Sequence, residues 1–384
     1  MKVAVLGYGT VGAGVYSMLS DAPGMEAGPV LVRPGKAVES FMVSDAALIF
    51  GDPTVDAVVE TLGGLDPAYS YGMRALESGK HFITANKAMV AAHGLELAAL
   101  AREKGAAFLF SAACGGGVPF LHNLALSAET DRIETVSGIL NGTTNYMLDA
   151  MQRRGLSYGD ALREAQSLGY AESDPTADVS GLDALRKMQL ACAVAFGVLP
   201  QSGMLCEGME HFTAADVEDI QSRGLVCRLL ARGSRAGESV SAYVEPVLFP
   251  RAAPESSVFT NNNMARYTGK RCGSIVLMGQ GAGRFPTASA VLRDLAATQQ
   301  GARSMFPKNC RAAEADNREA VHSYYIRTGG FAAVRLPLRS VLAQGEVVRA
   351  VTEPMSAEKM HALAQNIRKD GNDLFFAALE EELC

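Results

Sequence analysis

Val3-Ala4-Val5-Leu6-Gly7-Tyr8-Gly9-Thr10-Val11-Gly12, near the start of this 384-residue chain, decides its fold class. The apolar run Val3 to Gly7 reads as a short strand buried on both faces, as parallel strands are. Behind it, VGAGVYSMLSD carries apolar residues at helical spacing. A GxGxxG between a strand and a helix has a definite physical use. Gly7 permits the tight turn, Gly9 lets a phosphate approach the backbone, and Gly12 lets helix and strand pack closely. Thr10 and Val11 open the helix whose free N–H groups face the phosphates. Alone, the pattern would equally suit an ordinary glycine-rich turn; the strand before it and the helix after it point to a dinucleotide site.

Outward from this motif the strand signal repeats. PVLVR (Pro29 to Arg33) ends about twenty residues past the glycines, where the second strand of a βαβ unit ends. VDAVVETLGG, AYSYGMRALESGK, HFITANKAMV, GLELAALAREKG and AAFLFSA then alternate buried-strand and helix patterns up to residue 112, which specifies a doubly wound parallel sheet. After CGGGVP (Cys114 to Pro119) the strands lengthen. RIETVSGIL and ESVSAYVEPVLF suit a half-exposed antiparallel sheet, with helical TTNYMLDAMQRRG and GLDALRKMQLACAVAFG between them. The expected architecture is α/β, with a Rossmann-type domain over residues 1–112 completed by 284–318. A second α+β substrate and dimerisation domain is expected over 113–283 and a small C-terminal α+β region over 319–384.

Composition narrows the partners. With 41 acidic against 35 basic residues, a net charge of -6 and no long Lys/Arg run, the chain is not built to track a nucleic-acid backbone. The opening apolar stretch is too short and too interrupted by glycine for a secretory signal or membrane span, so a cytoplasmic address is expected. Seven cysteines, at 114, 192, 206, 227, 272, 310 and 384, show no CxxC pair and no Cys/His cluster at zinc spacing. Free thiols in a reducing compartment follow, without structural zinc.

Three places carry charge where a ligand would sit. The segment Leu31-Val32-Arg33-Pro34-Gly35-Lys36 has no acid at the strand tip, where NAD-selective domains set one against the ribose 2′-hydroxyl. Arg33 with Lys36 could meet a 2′-phosphate instead, so NADP is preferred over NAD; a solvated basic loop is the alternative. Lys87, in Thr84-Ala85-Asn86-Lys87, follows the strand HFI at the ligand-facing edge of the sheet. Helix N-termini prefer acids, so a cation there suggests an anionic or polar partner. Asp183 and Lys187 are four apart on one helix and share a face. A partly buried lysine beside a carboxylate can exchange a proton with an alcohol oxygen, the partner that hydride transfer requires. A solvent-facing ion pair is the alternative.

Several segments together resemble the homoserine dehydrogenase family: VAVLGYGTVGAGV, VDAVVETLGG, GKHFITANKA, GGGVP, SGILNGTTNYML, AQSLGYAESDPTADVSGLDALRK and GAGRFPTASAV. They follow the family's order across residues 1 to 295, and NGTTNY and GYAESDPTADVSGLDALRK are the most specific. The resemblance implies NAD(P)H-dependent, reversible reduction of L-aspartate 4-semialdehyde to L-homoserine, in threonine, methionine and isoleucine biosynthesis. It implies Lys187 as proton donor and acceptor and Lys87 at the reacting carbonyl or the nicotinamide. Asp183 and Glu172 would hold the substrate's ammonium and hydroxyl groups. Asp178, Asn141, Gly142, Thr143 and Thr144 would form the substrate wall, while Thr61, Gly169, Gly281 and Gly283 would lie against the cofactor. A homodimer or larger homo-oligomer is implied as well.

Two departures stand out. The family usually has Glu-Ala-Ala/Ser-Val before its glycine run, and this chain has Ser111-Ala112-Ala113-Cys114. In the family that segment coordinates a monovalent cation mainly through backbone carbonyls, here those of Ser111, Cys114, Gly116 and Val118; backbone ligation of sodium survives side-chain change. Cys114 would be the nucleophile in another Rossmann semialdehyde or sugar oxidoreductase, yet no histidine base is adjacent, and His122 lies past a proline on a helix, so packing is the better reading. A non-catalytic NADP-binding sensor is the third reading, opposed by the presence of both Lys87 and Lys187. The second departure is the tail. Many family members carry a regulatory ACT domain, and here Tyr324-Tyr325-Ile326-Arg327 resembles its first strand and Val347 to Leu379 its last strand-helix-strand, with Ser356 as N-cap. GGFAAVRLPLRSVLAQGE replaces the expected Asp-x-Pro-Gly-Val and helix, which reads as a shortened ACT-like unit without amino-acid feedback; a C-terminal cap on the oligomer is the alternative.

Overall fold

The structure is a computed structural model that describes residues 1–333 and 335–380. Six parallel strands, β1 (Lys2–Leu6), β2 (Glu26–Leu31), β3 (Met42–Val43), β4 (Ala57–Glu60), β5 (His81–Thr84) and β6 (Phe108–Leu109), lie in the order β3-β2-β1-β4-β5-β6. The strand order reverses between β1 and β4, so a crevice opens outside their carboxyl ends. Val3, Ala4, Val5 and Leu6 are fully buried, which is why this strand is apolar without alternation. β2 starts earlier than the pattern PVLVR suggests, because Glu26 and Ala27 pair in register with Lys2 and Val3 of β1. Tertiary pairing here overrides weak strand propensity.

The chain returns to this domain after its excursion through the second. Helix Arg284–Gln299 lies against helix Thr10–Leu19 so closely that a Cβ on Gly14 would stand 2.8 Å from the Arg284 carbonyl oxygen. Phe108 then bridges Ser304 in parallel.

The second sheet has ten strands. Its order runs Gly273–Gln280, Asn262–Gly269, Ile133–Ile139, Leu225–Ala236, Ser239–Pro250, Leu374–Leu379, Tyr324–Gly329, Val347–Thr352, Leu338–Ala343, with Leu205–Cys206 beside Ser239–Pro250. The expectation of a half-exposed strand at ESVSAYVEPVLF is corrected here. Val240 to Phe249 are all buried, and successive side chains point to opposite faces, so both faces are covered. The reason lies far away in sequence. Helix Leu182–Phe196 covers the face of Ala242 and Val244, helix Ala357–Lys369 covers the face of Glu245 and Val247 with His361 3.1 Å from Glu245, and Leu374–Leu379 pairs in parallel with Val247 and Leu248 along the edge.

The C-terminal residues keep the order strand, helix, strand, strand, helix, strand, with the first helix shortened to the single turn Gly330–Ala333 and not lost. The Ser356 hydroxyl accepts the Lys359 N–H at the start of helix Ala357–Lys369. Among the described residues no helix is long and apolar enough to cross a membrane, and the six cysteines are unpaired. Cys384 lies outside them.

Candidate active site

A cavity of about 1030 Å³ follows the carboxyl ends of β1, β2 and β4, lined among others by Gly7, Gly9, Arg33, Lys36, Glu39 and Thr61. Gly7 has φ +99°, a conformation that side chains disfavour. A Cβ on Gly12 would stand 2.1 Å from the Gly7 carbonyl oxygen, whereas one on Gly9 would meet nothing within 4 Å. Gly12 therefore serves packing, whereas the space beside Gly9 stays open to a ligand. Thr10, Val11 and Gly12 sit in or under the helix and do not line the cavity. That helix has no side-chain cap and no acid in its first turn, so its N-terminal N–H groups remain for an anion. The Lys36 N–H donates to the Arg33 carbonyl at 3.0 Å, and Gly35 has φ +78°. With Pro34 before it this is a type II turn, which sets Arg33 and Lys36 side by side at the tip of β2. These residues fit a dinucleotide.

A second cavity, about 540 Å³, holds Lys87, Asn141, Gly142, Thr143, Gly169, Glu172, Asp178, Asp183, Lys187, Gly281 and Gly283. Thr144 is buried behind it, bonded to Asn141. Asp183 is the hub. Its Oδ2 meets Lys187 Nζ at 2.7 Å and its Oδ1 meets Lys87 Nζ at 3.0 Å. The Asn141 amide donates to Asp183 at 3.0 Å and to Asp178 at 2.7 Å, and Lys187 also donates to the Leu140 carbonyl at 2.6 Å. The solvent-facing ion pair is thereby set aside: Asp183 is 8% exposed. Burial pushes its carboxyl up, but the two ammonium groups and the Asn141 amide together outweigh burial and hold it well below the usual range. Burial pulls the Lys187 ammonium down, and the Asp183 carboxylate beside it more than restores it, leaving its pKa raised. Asp178 is raised, chiefly by burial. The Glu172 side chain is exposed at the rim.

One supporting group was not legible in the sequence. Glu60, fully buried at the end of β4, accepts the N–H groups of Leu62 and Gly63 at 2.6 and 3.1 Å and the Thr84 hydroxyl. Thr84 in turn accepts the Asn86 N–H at 2.9 Å, and Asn86 caps helix Lys87–Lys104 while donating to the Gly64 carbonyl at 2.6 Å. This relay ties the wall of the first cavity to Lys87 in the second.

The Ser111 to Val118 turn lies behind Lys187. Burial pushes the Cys114 thiol up to about 12, so it is held as a thiol and is no nucleophile. The Ser111 hydroxyl and N–H both donate to Asp294. Burial nevertheless pushes the Asp294 carboxyl up from an ordinary 3.8 to about 7. A raised folded-state value means stability that is complete below the unfolded value and lost as pH rises through the folded one. We expect melting temperature to decline from about pH 4 to about pH 7 through this group. Melting curves of Asp294→Asn across that range should lack this component; an unchanged slope would refute the assignment.

The homoserine dehydrogenase family model matches residues 119–296, and the model of the homoserine dehydrogenase NAD binding domain matches residues 7–111. A homoserine dehydrogenase of Synechocystis sp. is 38% identical over 319 residues, 77% of this chain and 72% of its own. The crystal structure of a homoserine dehydrogenase from Thiobacillus denitrificans superposes with a TM-score of 0.87 at 30% identity, covering 99% of this chain and 98% of that one. A hyperthermophilic archaeal homoserine dehydrogenase in complex with NADPH superposes with a TM-score of 0.67 at 25% identity, over 81% of this chain and 99% of that one. With a glycine-lined nicotinamide domain joined to this second domain, the chain belongs to the homoserine dehydrogenase family.

Proposed function

We propose that the chain catalyses the reversible NAD(P)H-dependent reduction of L-aspartate 4-semialdehyde to L-homoserine, in threonine, methionine and isoleucine biosynthesis. The convergence of Lys187 and Lys87 on Asp183, beside a groove lined by a glycine loop, carries this reading. When bound, the reduced nicotinamide supplies the hydride. The chain's own residues hold the aldehyde and settle the charge on its oxygen. Lys187 has three N–H donors; Asp183 and the Leu140 carbonyl take two, and the third passes its proton to the substrate oxygen. Lys87 polarises the same carbonyl. Glu172, Asp178 and Asp183 receive the substrate ammonium. The carboxylate faces the N-terminus of helix Gly142–Arg154 at Gly142 and Thr143, where unpaired N–H groups and the helix dipole favour an anion. Substrate-dependent NADPH oxidation, followed by nicotinamide absorbance, is the test. A protein that binds NADPH but leaves aspartate semialdehyde unreduced would remove the reading.

The cofactor is NADP in preference to NAD, supported by Arg33 and Lys36 at the two ends of the turn. Arg33→Ala should raise the KM for NADPH about ten- to a hundredfold, the worth of a charge-assisted hydrogen bond, with little change for NADH. Equal effects on both cofactors would count against it. A sodium ion would rest on the backbone carbonyls of Ser111, Cys114, Gly116 and Val118. The Ser111 and Val118 carbonyls each already accept an N–H, from Cys114 and Phe120, while those of Cys114 and Gly116 accept none among the described residues. The donor set therefore suits a monovalent cation. Assembly as a homodimer or larger is supported by strand Gly273–Gln280, an unpaired sheet edge with Met278 60% exposed. A cytoplasmic location belongs to the same proposal, as do three units with boundaries near residues 112, 283 and 318.

A further inference from the structure

Asn261 lines the second cavity on a loop held in an unfavourable backbone shape. Thr260, just before it, has φ +58°, the one non-glycine residue in the left-handed region among those described. For a β-branched residue that conformation is strained, and such strain persists only where the surroundings enforce it. Three side chains spaced four apart on helix Gly142–Arg154 enforce it. Asn145 Nδ2 donates to the carbonyls of Val258, Thr260 and Asn262 at 3.1, 3.0 and 3.2 Å. Asp149 accepts the Thr260 N–H at 3.1 Å, and the Arg153 guanidinium lies 4.6 Å from the centre of the Phe259 ring.

The helix that clamps the loop begins beside Asn261. A Cβ on Gly142 would stand 2.8 Å from the Asn261 carbonyl oxygen and 3.6 Å from the Asn261 Cβ. The Asn261 amide itself makes no hydrogen bond among the described residues. Resting on the function proposed above, we infer that Asn261 is a specificity-determining residue, whose amide donates to the substrate α-carboxylate held at the Gly142 helix terminus. The other walls argue for the carboxylate in that place. Glu172, Asp174, Asp178 and Asp183 line much of the cavity and repel an anion, and the neutral stretch Gly281 to Gly283 is the side that the function proposed above gives to the cofactor. The wall of Gly142, Thr143 and Asn261 is neutral and offers N–H groups, and the one further cation outside the lysine pair, Arg186, is exposed.

The test compares L-homoserine with 3-aminopropan-1-ol, which lacks the carboxylate, in the unaltered enzyme, Asn261→Ala, Asn261→Asp and Arg186→Ala, with NADP saturating. We expect Asn261→Ala to raise the KM for homoserine about ten- to a hundredfold with kcat nearly unchanged, as for loss of a hydrogen bond to a charged group. Asn261→Asp should be worse, since it sets like charges together. For the decarboxylated alcohol both variants should match the unaltered enzyme. An unchanged KM in Asn261→Ala, a loss shared equally by both substrates, or a homoserine-specific loss in Arg186→Ala alone overturns the inference. Homoserine left unoxidised by the unaltered enzyme overturns instead the reading beneath it.

Discussion

Lys187→Ala is expected to lower kcat for aspartate semialdehyde reduction about 10²- to 10⁴-fold, the range lost when a positioned proton donor is removed, while NADPH binding persists. The buried Asp183–Lys187 pair at 2.7 Å sets the pH dependence. Because the lysine pKa is raised, the protonated form that serves reduction is present throughout the neutral range. Oxidation of homoserine needs the free amine, so its rate should climb as pH rises on the alkaline side. Lys187→Arg keeps the cation but cannot give up its proton, so it should bind substrate and lose that alkaline climb. Retention of kcat within tenfold by Lys187→Ala, or an intact climb in Lys187→Arg, would reassign the proton to another group. Melting curves must accompany the kinetics, because the alanine variant leaves Asp183 with Lys87 and Asn141 as its remaining partners.

The second large effect belongs to the glycine loop, where two alanine substitutions should part company. Gly12→Ala brings a Cβ to 2.1 Å from the Gly7 carbonyl and 2.7 Å from the Thr61 hydroxyl. Backbone must move, at about 1 to 3 kcal/mol of overpacking, and the melting temperature should drop by several degrees together with cofactor affinity. Gly9→Ala adds a Cβ with nothing within 4 Å. Its melting temperature should stay unchanged without ligand, while NADPH affinity falls at least tenfold, because the methyl occupies the phosphate's path. Differential scanning fluorimetry with and without NADPH reads both. Equal destabilisation by the two substitutions would mean that Gly9 is needed by the fold and not by the ligand.

What the sequence reveals depends on how local each signal is. The strand–glycine–helix motif, Lys87 opening a helix, and the spacing of Asp183 and Lys187 are short-range patterns, and each led to its place. The Pro34-Gly35 pair was a readable type II signal for the turn that sets Arg33 beside Lys36. Glu60 gave no sign, because an acid ending an apolar strand looks like the start of a solvated loop; only Thr84, on the neighbouring strand, reveals its partner. Asn261 and Asp294 are hidden for the same reason, their settings being made by segments more than a hundred residues away. The burial of Val240 to Phe249 was misjudged because helix Ala357–Lys369, which covers one of its faces, and strand Leu374–Leu379, which pairs beside it, come more than a hundred residues later in the chain.

That last pairing bears on how the molecule is made. A ribosome delivers residues in order, yet the first sheet waits for helix Arg284–Gln299 to cover it, and the second waits for Leu374–Leu379 to be inserted beside Ser239–Pro250. At about 5 to 20 residues per second, the long hairpin emerges several seconds before its neighbour. During that interval the Val247–Leu248 end of the strand, beyond its pairing with Leu205–Cys206, presents an apolar edge still without its neighbour, the kind that joins the wrong chain. The nascent protein is therefore most exposed to misassembly between the emergence of that hairpin and the emergence of Leu374–Leu379, when most of its catalytic groups have already been laid down.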